Sequence, residues 1–252
     1  MDRPYTILSC AMSVDGRIDD PGPERLRLSN EADFTEIDEL RAGCDAILVG
    51  AGTLRADNPR LLVRSAVLRE RRREQGRTEN LLKAVVTRGG GVDPEARFFT
   101  TGDAGAVVYT GGTGVATANR RLSENRPQPE HPDTEPSAEV VDAGDPPTAK
   151  AILADLDDRG VTRLLVEGGG HIHTMFLTSG LVDELRLAVA PFFVGDDDAP
   201  RFVMPGAYPF TPDVPMRLVE ARALDGVAVL RYCLASGKTG QRGKPGELGE
   251  RP

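Results

Sequence analysis

Four apolar runs in this chain end in turns rich in glycine or hydroxyl groups: Gly50–Thr53, Thr87–Gly91, Thr110–Gly114 and Glu167–Gly170. Such turns suit an anion. Backbone N–H groups at a helix start carry the positive end of the helix dipole, and glycine lets a phosphate approach the chain closely. None is a complete G-x-G-x-x-G or P-loop, so each alone reads equally well as a plain turn, but four together point to a nucleotide. Two arginines near them, Arg41 and Arg64, have the planar fork that holds a phosphate bidentately; the plain alternative is a surface arginine. Glu167 is a carboxylate at a strand end, suited to orienting an amine or assisting a proton transfer, or merely to capping the following helix. Asp57, followed by Asn58-Pro59, is either a ligand contact or a turn former. His171 and His173 lie two apart on a helix and point away from each other, so no metal site is expected. Cys10, Cys44 and Cys233 are far apart with no C-x-x-C pair, which disfavours a disulfide framework or zinc and suits a reducing, cytoplasmic setting.

These groups need a scaffold that brings strand ends together. Tyr5–Met12, Ala46–Val49, Lys83–Thr87, Ala106–Tyr109 and Leu164–Val166 read as strands, several of them continuously apolar, as in a sheet covered on both faces. Between them, Ser29 or Asn30 opens a helix that Gly43 stops, Thr148–Arg159 forms a second, and His171–Ser179 a third. Glu184–Ala190, Leu218–Leu224 and Val227–Leu234 follow as late strands, the last two joined by Asp225-Gly226, a hairpin signal. Alternating strands and helices imply an α/β fold with a mostly parallel sheet flanked by helices and antiparallel late strands. Ligands of such sheets bind beyond the carboxyl ends of the strands, where the four turns lie. The Arg-rich run from Arg64 to Asn80 reads as a solvated helix or loop, and much of Asn119–Pro147 as a surface excursion around the strand Glu139–Val141.

The chain has 252 residues with 39% hydrophobic residues, enough for a real core. A net charge of −8 and 5% aromatic residues argue against a nucleic-acid surface. No apolar run approaches 18 residues, so neither a signal peptide nor a membrane span is expected. Residues 1–235 are expected to form one domain, and residues 236–252, with five glycines among them, a disordered tail.

Read together, Ala11-Met12-Ser13-Val14-Asp15-Gly16-Arg17-Ile18, Leu28-Ser29, Leu40-Arg41-Ala42, Gly50-Ala51-Gly52-Thr53, Asp57-Asn58-Pro59-Arg60-Leu61 with Arg64, and Glu167-Gly168-Gly169-Gly170 follow one another in an order that resembles the reductase domain of riboflavin biosynthesis, a dihydrofolate-reductase-like family. The resemblance covers roughly residues 5 to 235. It implies NADPH-dependent reduction of a phosphoribosylamino-pyrimidine to its ribityl form, with either the amino- or the diamino-pyrimidine as substrate. It also implies a homodimer. Carried over by position, it makes Ala11, Thr53, Asp57, Thr87, Arg88, Gly168, Gly169, Gly170, His171 and Ile172 cofactor contacts, with Thr87 and Arg88 beside a 2′-phosphate. Arg25, Arg41, Leu61, Arg64 and Glu167 become substrate contacts, Glu167 at the reacting end as the catalytic residue. Neither H-x-E nor P-C-x-x-C, the deaminase motifs often fused to such reductases, occurs here. Two other readings stay open: a dihydrofolate-type reductase, and a non-catalytic nucleotide-binding module.

Overall fold

Continuous apolar strands build the middle of a single sheet. The computed structural model describes residues 3–22, 24–124 and 138–234; the expected tail, 236–252, lies outside them. In chain order the elements are β1 (Tyr5–Ser13), α1 (Glu31–Ala42), β2 (Ala46–Gly50), α2 (Ala51–Asp57), α3 (Ala66–Glu74), β3 (Leu82–Val86), α4 (Arg97–Thr100), β4 (Ala106–Thr110), α5 (Gly112–Glu124), β5 (Ala138–Asp142), α6 (Ala149–Asp158), β6 (Arg163–Gly168), α7 (Gly170–Thr178), β7 (Glu184–Ala190), β8 (Arg217–Leu224) and β9 (Val227–Cys233). The nine strands lie in the order β5-β4-β3-β2-β6-β1-β7-β9-β8. Every pairing from β5 across to β7 is parallel, and β9 runs against both β7 and β8. This is the α/β arrangement with antiparallel late strands that the sequence implies.

Each face of the sheet has its own core. Ile152, Leu153 and Leu156 of α6 and Ile172, Phe176 and Leu177 of α7 pack with Leu8, Leu48 and Val166 on one side. On the other, Ile7, Ile47, Val85 and Leu165 meet Leu54 of α2, Phe98 and Phe99 of α4 and Ala118 of α5, with Leu40 of α1 and Leu68 of α3 packed against them. Residues of β2 and β4 are buried on both faces, which is why their sequences are uninterrupted apolar runs. Helix α1 starts at Asn30, whose side chain accepts from Asp33 N. The same amide donates to Leu224 O and Asp225 O of the β8–β9 hairpin.

Two expectations change. The polar stretch from Asn119 begins inside α5, which continues to Glu124. The Arg-rich run forms α3, capped by Ser65, and it is not uniformly solvated: Arg72 is 2% exposed. Its guanidinium donates to Thr78 O, Ala42 O, Cys44 O and Asn80 O at 2.7–3.2 Å. One cation thus satisfies carbonyls at the end of α1, the start of β2 and the approach to β3. Arg77 also donates to Ala42 O and Cys44 O, and Thr78 Oγ1 to Asn80 O. Arg72→Ala therefore removes one of two donors from three carbonyls and the side-chain donor of Thr78 O, and is expected to lower the unfolding free energy by about 1–3 kcal/mol. Urea denaturation of the two proteins side by side measures this, and an unchanged midpoint would show the carbonyls are satisfied some other way.

Candidate active site

The carboxyl ends of β1, β2, β3 and β6 converge on a cleft of about 1300 Å³. Its floor is made by charge pairs between α1 and the sheet. Asp33, Ile37 and Arg41 stand four residues apart and share one face of α1. Arg41 makes a two-pronged contact with Glu167 of β6, Nε to Oε1 at 2.8 Å and Nη2 to Oε2 at 2.7 Å, while its Nη1 reaches Leu62 O. Asp33, 1% exposed, receives Nη2 of Arg186 on β7 at 2.6 Å, and Glu36 receives the same nitrogen at 2.9 Å. Burial opposes the Arg41 charge, but Glu167, with Asp38 behind it, outweighs burial and leaves the guanidinium pKa above its ordinary value. Arg41 is therefore committed to Glu167 as well as facing the cleft.

Asp38, buried on the same helix, accepts from Arg64 N at 2.6 Å and Ser65 N at 2.8 Å. That fixes the loop on which Arg64 stands. The Arg64 guanidinium lies 5.1 Å from the Phe34 ring centroid, exposed and lining the cleft, with no acidic partner among the described residues.

The far wall is the turn from β6 into α7. The Gly168–Gly169 peptide is cis and Gly168 has φ +100°; a Cβ there would overlap the His173 ring. A Cβ on Gly170 would sit 2.3 Å from Arg201 O, so the segment after β7 closes directly on this helix start. No side chain caps α7, and its first N–H groups open on the cleft lining of Gly169, Gly170 and His171. Thr53 Oγ1 accepts from Gly169 N at 3.0 Å, tying α2 to the turn. His173 is fully buried, and burial lowers its pKa to about 4; it packs on Phe202, whose carbonyl lies 3.0 Å from Nδ1.

Of the residues expected from the sequence, Ala11, Arg25, Arg41, Thr53, Asp57, Arg64, Thr87, Arg88, Glu167, Gly169, Gly170, His171 and Ile172 all line this one cleft. Arg25 and Asp57 pair with each other at 3.1 Å, and burial holds the Asp57 carboxyl above its usual pKa despite Arg25. Thr87 is buried at the end of β3 and Arg88 beside it is exposed. Two residues fall elsewhere. Leu61 is 4% exposed and packs into the hydrophobic core, because the turn after α2 folds its side chain inward at φ +53°. Gly168 sits behind the cleft wall over His173. Sequence reasoning missed Asp33, Asp38 and Arg186. Their signals were an arginine amid the apolar β7 and acids at i and i+5 on the inner side of α1, each of which also reads as ordinary surface charge.

The chain matches the RibD C-terminal domain family over residues 4–230. It is 38% identical over 199 residues to the 2,5-diamino-6-ribosylamino-4(3H)-pyrimidinone 5′-phosphate reductase of Archaeoglobus fulgidus, covering 79% of this chain and 85% of that one. Against the protein of the same name from Methanothermobacter thermautotrophicus it is 35% identical, covering 80% and 84%. The crystal structure of a pyrimidine reductase-like protein from Corynebacterium diphtheriae superposes with a TM-score of 0.73 at 20% identity, over 93% of both chains, and shows the same fold. With a match that spans nearly all the described residues and relatives this similar over four-fifths of its length, the chain belongs to the RibD C-terminal domain family.

Proposed function

We propose that this chain is an NADPH-dependent oxidoreductase that reduces the ribosylamino group of an aminopyrimidinone 5′-phosphate to the ribityl form, as in riboflavin biosynthesis. The observation that carries this reading is one cleft with two separate places for anions: the uncapped start of α7 and the guanidinium of Arg64, which has no acidic partner among the described residues. A phosphorylated substrate and a dinucleotide must be held together for this reaction, and each brings its own phosphate. The archaeal relatives carry the name of that reductase.

The residues present fit NADPH. The bare glycines and free N–H groups of α7 suit its pyrophosphate, and Thr87 with exposed Arg88 suits a 2′-phosphate beside the adenosine ribose. When bound, the nicotinamide would supply a hydride to C1′ of the ring-opened imine, the C1′–O4′ bond having broken as the amine proton passes to O4′, with one further proton taken up at the nitrogen. The chain itself needs no nucleophile for this; it must hold the substrate in line and exclude water. Arg64 takes the 5′-phosphate. Arg41 fixes Glu167 in one orientation on the cleft lining, where its carboxylate can meet the amine at the reacting carbon. Asp57, raised in pKa beside Arg25, closes the rim. We also infer that the family's homodimer forms through the outer strand β8, where Leu218 and Val219 are half exposed. Among the described residues no helix is long and apolar enough to cross a membrane, and a cytoplasmic setting fits the buried free thiols of Cys10 and Cys44.

Substrate-dependent NADPH oxidation, with the amino- and diamino-pyrimidines compared, tests the reading; no oxidation with either sinks it. Arg64→Ala is expected to raise KM for the substrate roughly tenfold to a hundredfold, the worth of a charge-assisted contact, with NADPH affinity by calorimetry little changed. Glu167→Gln is expected to depress kcat more than it raises KM, and full turnover would return Glu167 to a purely structural partner of Arg41. Arg88→Ala is expected to weaken NADPH and leave NADH nearly unaffected; an equal loss for both would detach Arg88 from the 2′-phosphate.

A further inference from the structure

The two glycines that open α7 have four close neighbours: Ile18 and Thr53 beside Gly169, and Arg201 and Met204 beside Gly170. Of these only Arg201 carries a charge. Its carbonyl lies 2.3 Å from where a Gly170 Cβ would stand, so the Arg201 backbone is packed on the helix start. The residue lines the cleft together with Gly169, Gly170 and His171.

The chain on either side of Arg201 is pinned from two directions. Toward β1, Ile18 N donates to Pro200 O and Phe202 N to Gly16 O, both at 2.9 Å, and Arg17 Nη1 donates to Ala199 O at 2.9 Å. Toward α7, Met204 N donates to Thr174 Oγ1 at 2.8 Å, and Phe202 O lies 3.0 Å from His173 Nδ1. All five contacts use main-chain atoms of this segment. They fix where the Arg201 side chain starts without engaging the side chain itself. Among the described residues its guanidinium makes no hydrogen bond. Its one acidic neighbour, Asp197, is 4.0 Å away, 99% exposed and shared with Arg17. A pair of that kind in water holds its partners weakly, so the half-exposed side chain turns to an anion at little cost.

The charge balance at the helix start asks for such a group. A pyrophosphate within a dinucleotide carries about two negative charges, against roughly half a positive charge at a helix N-terminus. The other cleft arginines are placed elsewhere: Arg41 on Glu167, Arg25 on Asp57, Arg64 over Phe34 and Arg88 at the end of β3. From this geometry we propose that Arg201 is a cofactor-binding residue, its guanidinium donating to the pyrophosphate across the first turn of α7. The proposal rests on the reductase reading and adds the cation that the glycine turn lacks. It also gives two arginines different duties. Arg88 is assigned to the 2′-phosphate, which only NADPH has, and Arg201 to the pyrophosphate, which NADPH and NADH share.

The test is calorimetric titration of the full chain with NADPH and with NADH. Arg201→Gln is expected to weaken both alike, about threefold to tenfold, the worth of a charge-assisted contact on an exposed rim. The gap from the wild type narrows at about 1 M salt, where the screening length is about 3 Å. Arg201→Lys recovers most of the loss, because a point charge still meets a phosphate. In initial rates, KM for NADPH rises while KM for the pyrimidine substrate is unchanged, and the melting temperature stays at the wild-type value. Unchanged affinity for both dinucleotides in Arg201→Gln overturns the proposal, as does a loss confined to NADPH. An equal loss that Arg201→Lys does not recover, or that comes with a lower melting temperature, makes Arg201 part of the scaffold and overturns it too. Failure of the reductase reading looks different: the wild type would bind the dinucleotides and oxidise no NADPH with either pyrimidine, while the Arg201 variants would still decide the pyrophosphate contact. A wild type that binds neither dinucleotide overturns both.

Discussion

Charge buried between a helix and a sheet is tolerated only when its partner is buried with it. Helix α1 meets that condition at both ends with opposite polarity: Arg41 of the helix on Glu167 of β6, and Asp33 of the helix on Arg186 of β7. Reversing the helix would set acid against acid and arginine against arginine, and sliding it by a turn would put Ile37 opposite one of the two sheet charges. The two pairs thus select one placement of α1, and much of the site follows from it. Asp38 on the same helix receives the backbone of residues 64 and 65, so Arg64 and the start of α3 are located from α1 as well. Glu36 also receives Arg222 of β8, and Asn30 grips the β8–β9 hairpin, so the antiparallel end of the sheet is tied to the same helix.

A parallel sheet adds the second constraint. It sends the carboxyl ends of β1, β2, β3 and β6 to one edge, where each chain must turn within a few residues. On β6 the turn is immediate: Gly168 ends the strand and Gly170 begins α7. The tightness exposes the N–H groups of α7, and it is possible only because Gly168 has no side chain to meet His173 and Gly170 none to meet Arg201 O. Close packing and the open helix start have the same cause here.

The strands were legible because burial on both faces leaves an unbroken apolar run, as in Ala46–Gly50 and Ala106–Thr110, and the hairpin because Asp225-Gly226 marks its turn. The helices that pack with few apolar residues were not. Helix α3 contributes Leu68 and a buried arginine, and α5 contributes Ala118 and Gly114, so their windows look solvated. The candidate site was legible through its glycines and through the ordered motifs that resemble the reductase family. What could not be read was which charges find each other. Arg41 and Glu167 are 126 residues apart and Asp33 and Arg186 are 153 apart; each looks like an independent polar group until the fold apposes them. Leu61 shows the converse: a position matched by motif whose side chain the backbone turns into the core.

Rim and floor of the cleft impose different selections. Arg64 and Arg88 stand in water, where a guanidinium attracts any phosphate and salt screens it beyond about 10 Å. Such groups hold a ligand without reading it closely. The floor groups are buried, the local dielectric is lower, and a mismatched donor or acceptor there costs its full desolvation. A site built to hydrogen-bond a particular edge rejects the wrong one more strongly than an apolar pocket rejects a wrong shape. Because the floor is carried on three adjacent strands and clamped by α1, it cannot shift to accommodate a different pattern without breaking a buried ion pair.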